Sequence, residues 1–386
     1  MMKQPKILLF TASFGNGHHQ VSNVLKHTFE EFGVGTVQIH DLYDEAYPLG
    51  NKIAKFLYKQ SFAYGSFFYK HFFYFMDKRY GTKATQWYVK LGEKRLETLL
   101  QTEQPDIVIT TFPVGTVPEW RKKTKAKFQL YTIITDYGLH RTWLHDEIDR
   151  YYVATEEVKH KIRCNGIAAE KIHVSGIPIR KEFESSKNYE ELIQKYELDP
   201  TRKKVLILAG AQGVVKNIKW ITNHLLHESN IQVIVVCGRN ERLYSQLQDI
   251  AITYGDQLKV FGYVEHIHEL YEAADIMITK PGGITLSEAI AKKLPTILYK
   301  AVPGQEKENS VFFNTKGASV VLSDKQTVVQ EALYLLDHDN KLDKMRTALE
   351  HLYKRESSQQ IISDILESFD QYKAANHTNK QVLNEI

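Results

Sequence analysis

Short apolar runs, each about a strand long, alternate with amphipathic stretches along the whole chain. The runs are rich in Ile, Val and Leu with no polar alternation, as strands covered on both faces require. The pattern predicts strands near Lys6–Thr11, Thr36–His40, Asp106–Thr110, Gln129–Thr135 and Arg150–Ala154 in the first half. In the second half it predicts Lys203–Ala209, Gln232–Cys237, Leu258–Phe261, Asp275–Thr279 and Pro295–Tyr299, with Ala318–Leu322 completing the set. The intervening stretches carry helical spacing; after the first strand Val21, Val24, Leu25, Phe29 and Phe32 share one face and Gly33 ends the helix. Strand–helix alternation of this kind builds α/β domains with doubly wound parallel sheets. Polar sequence between the halves predicts a first domain over 1–180, a linker over 181–202 and a second domain over 203–356. A final helix, roughly Ser357–Lys373, fits either domain and is expected to pack on the first, with the polar residues after it frayed.

Bulk properties remove several function classes. A chain of 386 residues suits two cores rather than one. Its formal net charge of +4 does not suggest a nucleic-acid binder. Cys164 and Cys237 are too few and too far apart for a disulfide framework or a zinc site, which fits a reducing cytoplasm. The opening MMKQPKILLFTAS is expected not to be a signal peptide, because its apolar run is short and leads into glycines and a helix. No stretch of 18 uninterrupted apolar residues occurs, so no membrane span is expected.

The most specific chemistry lies in KPGGITLSEA, Lys280–Ala289, and PGQEKEN, Pro303–Asn309. The first follows a buried strand and opens a helix through Gly282 and Gly283, with Thr285 in the first turn. Free backbone N–H groups and the helix dipole make such a start a phosphate seat. Glu288 is placed to accept hydrogen bonds from a ribose diol. Gln305, Glu306 and Asn309 carry amide and carboxylate groups suited to sugar hydroxyls. Each feature alone reads equally as a turn or a helix cap. Their conjunction at strand ends points to a nucleotide-sugar donor.

A second loop, Ser13–His19, also joins a strand to a helix start and can bind an anion. Gly15 and Gly17 form G-x-G, and Asp41 ends the second strand where a dinucleotide's ribose acid would lie. Gln20 stands where the third glycine of that pattern belongs, so the dinucleotide reading is incomplete. His18 sits at the loop–helix junction, where an imidazole can take a proton from an attacking hydroxyl. From position alone it reads equally as a solvated first-turn residue.

Lys52–Arg95 is the chain's most unusual composition: fourteen aromatic residues, and ten Lys or Arg against two acids. Phe67, Phe68, Phe72, Phe73, Phe75 and Trp87 with Lys70, Lys78 and Arg79 suit a membrane interface, where rings enter the headgroup layer and cations meet anionic lipid. A second basic group, Arg121, Lys122, Lys123, Lys125 and Lys127, would add to it. Two other readings are open: aromatic core packing, and stacking on single-stranded nucleic acid.

Taken together the motifs resemble the GT-B glycosyltransferases. They are SFGNGH at Ser13–His18, PDIVITTFP at Pro105–Pro113, TDYGLHRTW at Thr135–Trp143, YYVAT at Tyr151–Thr155, GIPI at Gly176–Ile179 and AGAQGVVKN at Ala209–Asn217, with the two donor motifs. That group includes plant monogalactosyldiacylglycerol synthase and the N-acetylglucosaminyltransferase of peptidoglycan synthesis. GNGH with TDY is more similar to the lipid-acceptor branch of processive diacylglycerol β-glucosyltransferases. The resemblance implies two Rossmann-like domains facing across a cleft. It implies UDP-glucose as donor, diacylglycerol and then glucosyl lipids as acceptors, and inversion at the anomeric carbon. UDP-galactose or UDP-N-acetylglucosamine with another lipid acceptor is the alternative chemistry. A UDP-glucose sensor with a cell-division protein partner is the non-enzymatic one.

The resemblance further implies a peripheral protein on the cytoplasmic face of the cell membrane, supplying the glycolipid anchor of lipoteichoic acid. Carried over residue by residue, Gly210, Gln212 and Gly213 would face the diphosphate, with Arg239 countering its charge. The backbone at Tyr263 and Val264 would meet uracil, and Gly17, Gly282, Gly283 and Thr285 would lie at the donor. His18 or Asp136 would be the base. No cofactor, metal or nucleic acid is expected. The Asp337-His338-Asp339 sequence reads as a solvated turn between helices.

Overall fold

The computed structural model describes residues 4–13, 17–50, 66–210, 215, 217–228 and 230–384. Two six-stranded parallel sheets form, one from each half. The first has the order β2-β1-β3-β4-β5-β6, with β1 Ile7–Thr11, β2 Val37–Asp41, β3 Ile107–Thr110, β4 Gln129–Ile133, β5 Arg150–Val153 and β6 Ile172–Val174. The second has the order β12-β11-β10-β7-β8-β9, with β7 Lys203–Leu208, β8 Ile231–Val236, β9 Leu258–Phe261, β10 Ile276–Thr279, β11 Thr296–Tyr299 and β12 Ser319–Leu322. The expected strands agree with these except for β6, a three-residue edge strand whose half-buried His173 breaks the apolar run. Winding reverses between β1 and β3 and between β7 and β10. At such switch points the loops leave in opposite directions and open a ligand crevice beyond the strands' carboxyl ends.

The buried strands explain the apolar runs: Ile7, Leu8, Leu9 and Phe10 of β1 are fully buried on both faces. The first helix, Gly17–Glu31, lays Val21, Leu25 and Phe29 into the core at four-residue spacing. Each such side chain contributes roughly 1.5–3 kcal/mol by leaving water. Val34 N–H donates to the Phe29 carbonyl and closes the helix end at Gly33. Phe32, expected on the buried face, lies past the last helical turn and is 44% exposed.

The 181–202 segment is folded onto the second sheet. Phe183, Leu192 and Leu198 join that sheet's apolar cluster, and Asn188 caps the helix Tyr189–Lys195. The last helix, Ser357–Asn384, lays Ile361, Ile362, Ile365 and Phe369 into the cluster containing β1, β3 and the first helix. Its Asp364 pairs with Arg150 (2.6 Å) and accepts from the Tyr152 hydroxyl (2.5 Å). The helix continues past Lys373, where a frayed tail was expected, to Asn384.

The chain thus passes between the halves at Gly176–Arg180 and again at Tyr353–Ser357. These passages lie side by side: a methyl on Gly176 would stand 2.7 Å from Lys354 Cβ. Glu184 Oε1 accepts from both the Tyr353 hydroxyl (3.3 Å) and the Glu356 N–H (2.8 Å).

Candidate active site

His18 lies in the first turn of the first helix and is 8% exposed. Its Nδ1 is 2.8 Å from the Thr111 carbonyl, just past β3, and 2.8 Å from Thr135 Oγ1, just past β4. A carbonyl can only accept, so Nδ1 carries the hydrogen and Nε2 is the bare nitrogen of the neutral ring. Burial lowers the imidazole's pKa, opposed by the Asp136 charge and the Thr111 bond, and keeps the ring neutral. Ser22 Oγ ties Thr111 Oγ1 (2.8 Å) to the His18 carbonyl (3.1 Å), fixing the helix start against β3. Phe112 packs edge-on at 5.0 Å and Trp143 lies 6.3 Å from the imidazole. The imidazole is buried and oriented rather than solvated, so the solvated first-turn reading is set aside.

The glycine loop's other end is held by Asp41. Its carboxylate accepts from the Ser13 N–H (2.9 Å) and hydroxyl (2.6 Å) and from the Asp44 N–H (3.0 Å). Asp41 therefore serves the loop and a helix cap, not a nucleotide ribose.

Asp136 follows β4 and is 7% exposed; burial raises its pKa. Its Oδ2 accepts from Gln305 Nε2 (2.9 Å) and its Oδ1 from Asn309 Nδ2 (3.1 Å), both from the second half. Asn309 also donates to the Pro281 carbonyl (3.1 Å) and accepts from the Tyr137 N–H (2.8 Å). Its amide is thus spent on joining the halves, which corrects its expected place among sugar-binding groups. The Tyr137 hydroxyl adds a bond to Ser287 Oγ (2.8 Å).

The expected cleft motifs meet directly. Gly282 caps the PGG helix, Gly283–Ala291, which starts at the β7/β10 switch point. A methyl on Gly283 would stand 2.1 Å from the Thr135 carbonyl oxygen and 3.2 Å from Asp136 Oδ1, so only glycine fits. A methyl on Gly17 would meet Ile284 at 3.2 Å. The helix start, with its N–H groups and positive dipole end, therefore faces Asp136.

Glu288, on the PGG helix, is 6% exposed, and its Oε2 accepts from the Tyr271 hydroxyl (3.2 Å). Burial raises its pKa to about 7, against the lowering pull of Arg180. Arg180 Nη2 lies 3.9 Å from Glu288 Oε1, and its Nη1 donates to the Glu265 carbonyl (3.0 Å). Thr285 is half-buried on the same helix. Glu306 accepts from the Val302 N–H (3.0 Å), with Lys280 Nζ 4.0 Å away; burial raises its pKa.

Gly210 lies two residues past the end of β7, while Gln212 and Gly213 lie outside the described residues. Exposed Tyr263 and Arg239 pair at the β8 and β9 ends, the guanidinium 6.0 Å from the ring centroid. Val264 is half-buried against the second sheet's cluster. Among the described residues no group of three or more His, Cys, Asp or Glu could hold a metal ion. Asp337 and His338 form the exposed turn, and Asp339, which opens the next helix, pairs with Lys203 (3.1 Å).

The aromatic segment divides. Residues 51–65 lie outside the described residues. Phe67 and Phe68 fall in the first turn of the arm helix, Ser66–Arg79. Lys70, Phe72, Phe75, Lys78, Arg79 and Trp87 are exposed. Phe73 turns inward, 4.3 Å from the His140 ring, and is corrected from the lipid-facing set. In the second basic group Arg121 pairs with Asp149 (2.8 Å) and Lys123 with Glu93 (3.0 Å), while Lys122, Lys125 and Lys127 are exposed. No helix among the described residues is long and apolar enough to cross a membrane.

Residue patterns alone missed Thr111, Thr135, Arg180 and His140. The threonines lie one and two positions past the ends of buried strands β3 and β4, a placement that marks them once the strands are known. Arg180 directly follows GIPI, at the boundary with sequence that reads as linker.

Residues 18–179 match the family model described as monogalactosyldiacylglycerol (MGDG) synthase, and residues 204–367 match the glycosyltransferase family 28 C-terminal domain. A curated relative from Bacillus cytotoxicus, named processive diacylglycerol beta-glucosyltransferase, is 44% identical across 98% of this chain and 97% of its own length. Among solved structures, Acinetobacter baumannii MurG aligns with a TM-score of 0.62 at 13% identity, over 94% of this chain and 100% of that one. The S. aureus MnaA–UDP co-structure aligns at 0.60 and 15% identity, over 95% and 97%. These structural likenesses establish the GT-B fold. The sequence relationship goes further: the chain belongs to the family of processive diacylglycerol β-glucosyltransferases.

Proposed function

We propose that this protein transfers glucose from UDP-glucose to diacylglycerol and then to the glucosyl lipid. The observation that carries the reading is His18, neutral and oriented at one switch point, on the helix whose Gly17 packs against Ile284 of the PGG helix that starts at the other. The acceptor hydroxyl oxygen attacks the anomeric carbon from the face opposite UDP. The new C–O bond forms as the bond to the phosphate oxygen breaks, with inversion. The hydroxyl proton passes to His18 Nε2. The electron pair leaves on UDP, met by the N–H groups of the PGG helix start and by Arg239. Glu288 takes the ribose hydroxyls, steadied by Arg180. Gln305 exchanges Asp136 for a sugar hydroxyl as donor enters, beside Glu306. Backbone at Tyr263 and Val264 meets uracil. Asp136 holds the halves in register and steers the imidazolium that forms. The scheme routes no step through a metal.

Lipid docking falls to the exposed arm face, Phe72, Phe75 and Trp87 with Lys70, Lys78 and Arg79, on an anionic membrane. Each such cation contributes about 1 kcal/mol near that surface. The site is then the inner leaflet, where the product serves as a lipoteichoic acid anchor.

The test is chromatography of lipids made by purified protein from diacylglycerol vesicles and radiolabelled UDP-glucose. UDP-galactose and UDP-N-acetylglucosamine run in parallel, with and without EDTA. A ladder of glucolipids from UDP-glucose alone, unchanged by EDTA, is expected. No product with any donor, despite UDP binding, would overturn the transfer reading.

A further inference from the structure

The arm helix has two faces with different neighbours. Outward lie Phe72 and Phe75, 52% and 46% exposed. Inward, the helix is fixed to the first half: His140 Nε2 donates to the Phe73 carbonyl (3.0 Å), and Asp77 Oδ1 accepts from the Arg141 N–H (2.7 Å). The same inward face lies on the second half at Gly304, the residue before the PGQ helix, Gln305–Thr315. Gly304 has φ +106, and a methyl there would stand 3.0 Å from the Tyr69 ring and 3.3 Å from the Phe73 ring. Two aromatic rings thus cover a backbone position that only glycine adopts without strain. One turn on, the Tyr74 hydroxyl donates to Glu308 Oε1 (3.4 Å). The covered turn delivers Gln305 to Asp136 and sets Glu306 beside Lys280. Burial raises the Tyr69 hydroxyl's pKa, and the Asp136 and Glu306 charges raise it further, so this ring stands within the electrostatic reach of both carboxylates.

We propose that the arm helix is a positioning element of the transfer site, with Tyr69 and Phe73 holding the Gly304–Glu306 turn so that docking its outer face on a lipid surface tightens donor binding. The proposal rests on the transfer reading for its biological use. Its physical content is a linkage between two ligands of one protein, UDP and an anionic vesicle. Linkage is reciprocal, so vesicles must strengthen UDP binding by the factor by which UDP strengthens vesicle binding.

The experiment titrates UDP into the full chain by calorimetry, with and without phosphatidylglycerol–diacylglycerol vesicles, and measures vesicle co-sedimentation with and without UDP. Wild-type protein should bind UDP about fivefold or more tightly with vesicles, at the low end of typical coupling, with the same factor in sedimentation. Phe73→Ala should lose that factor while vesicle binding changes less than about twofold. In the transfer assay it should raise the KM for UDP-glucose more than it lowers kcat. Phe73→Leu, which keeps apolar bulk over Gly304, should recover most of the coupling, and matching thermal melts for the two variants exclude a folding defect. Phe72→Ala with Phe75→Ala should lose vesicle binding and keep UDP affinity in solution. Equal UDP affinity with and without vesicles in wild type would overturn the proposal, as would coupling unchanged in Phe73→Ala. Because the coupling is read with UDP alone, a wild-type chain that makes no glucolipid would defeat the transfer reading and leave the calorimetry to decide this one.

Discussion

The two switch points meet across one seam but are built from different materials. On the first sheet's side the groups are buried, titratable side chains: His18 and Asp136, with the Thr111 carbonyl fixing the tautomer. On the second sheet's side stand the glycines of a helix start and the neutral amides of Gln305 and Asn309, with the carboxylate of Glu288 set back on the helix. Moving a proton needs a group whose charge can change, placed to a fraction of an ångström. Holding a diphosphate needs many fixed donors whose charge does not change, and backbone supplies those with no side-chain entropy to lose. The first side should therefore fail through chemistry and the second through shape.

The largest effect should come from His18→Ala. Loss of a general base lowers kcat by about 10²–10⁴-fold, while UDP affinity measured by calorimetry stays near that of the parent. Retained transfer would end the base assignment. Gly283→Ala should break the other side through sterics. A methyl 2.1 Å from the Thr135 carbonyl must part the halves, at about 1–3 kcal/mol or more of stability. Thermal melting and transfer should both fall, and an unchanged melting temperature would show the seam to be looser than described.

Asn309→Leu tests the join itself. It removes an amide bonded to Asp136, Pro281 and Tyr137 and leaves buried partners unpaired, a cost of about 1–3 kcal/mol. The denaturation midpoint should fall while UDP affinity falls less. The mildest effect is in pH. Burial lowers the pKa of His18 and raises that of Glu288 to about 7. His18 is active when deprotonated, so the acid limb of kcat should lie below the ordinary histidine range. Glu288 accepts best when ionised, so UDP affinity should weaken as pH drops through about 7. Glu288→Gln should flatten that affinity profile, and a profile unmoved by this change would assign it to another group.

The strands were legible because buried parallel strands must be apolar on both faces. β6 was not, because an edge strand of three residues needs only one covered face. The PGG motif stood out through its glycines, and at Gly283 the Thr135 carbonyl supplies the steric reason for one of them. What could not be read was how far the halves approach: Asn309 looks like a sugar ligand in sequence and becomes a fastener only when the Asp136 carboxylate lies 3.1 Å away. Phe73 escaped for a similar reason. Beside Phe72 in sequence it has the same composition, but one helical step, 100°, turns it from solvent to the Gly304 turn.

The two chain passages between the halves, stitched together at Glu184, have a mechanical consequence. A body hung on two adjacent pins keeps one easy rotation and loses the others. Any parting of the seam would then be a swing about a single line, carrying Gly283 away from Thr135 along one arc.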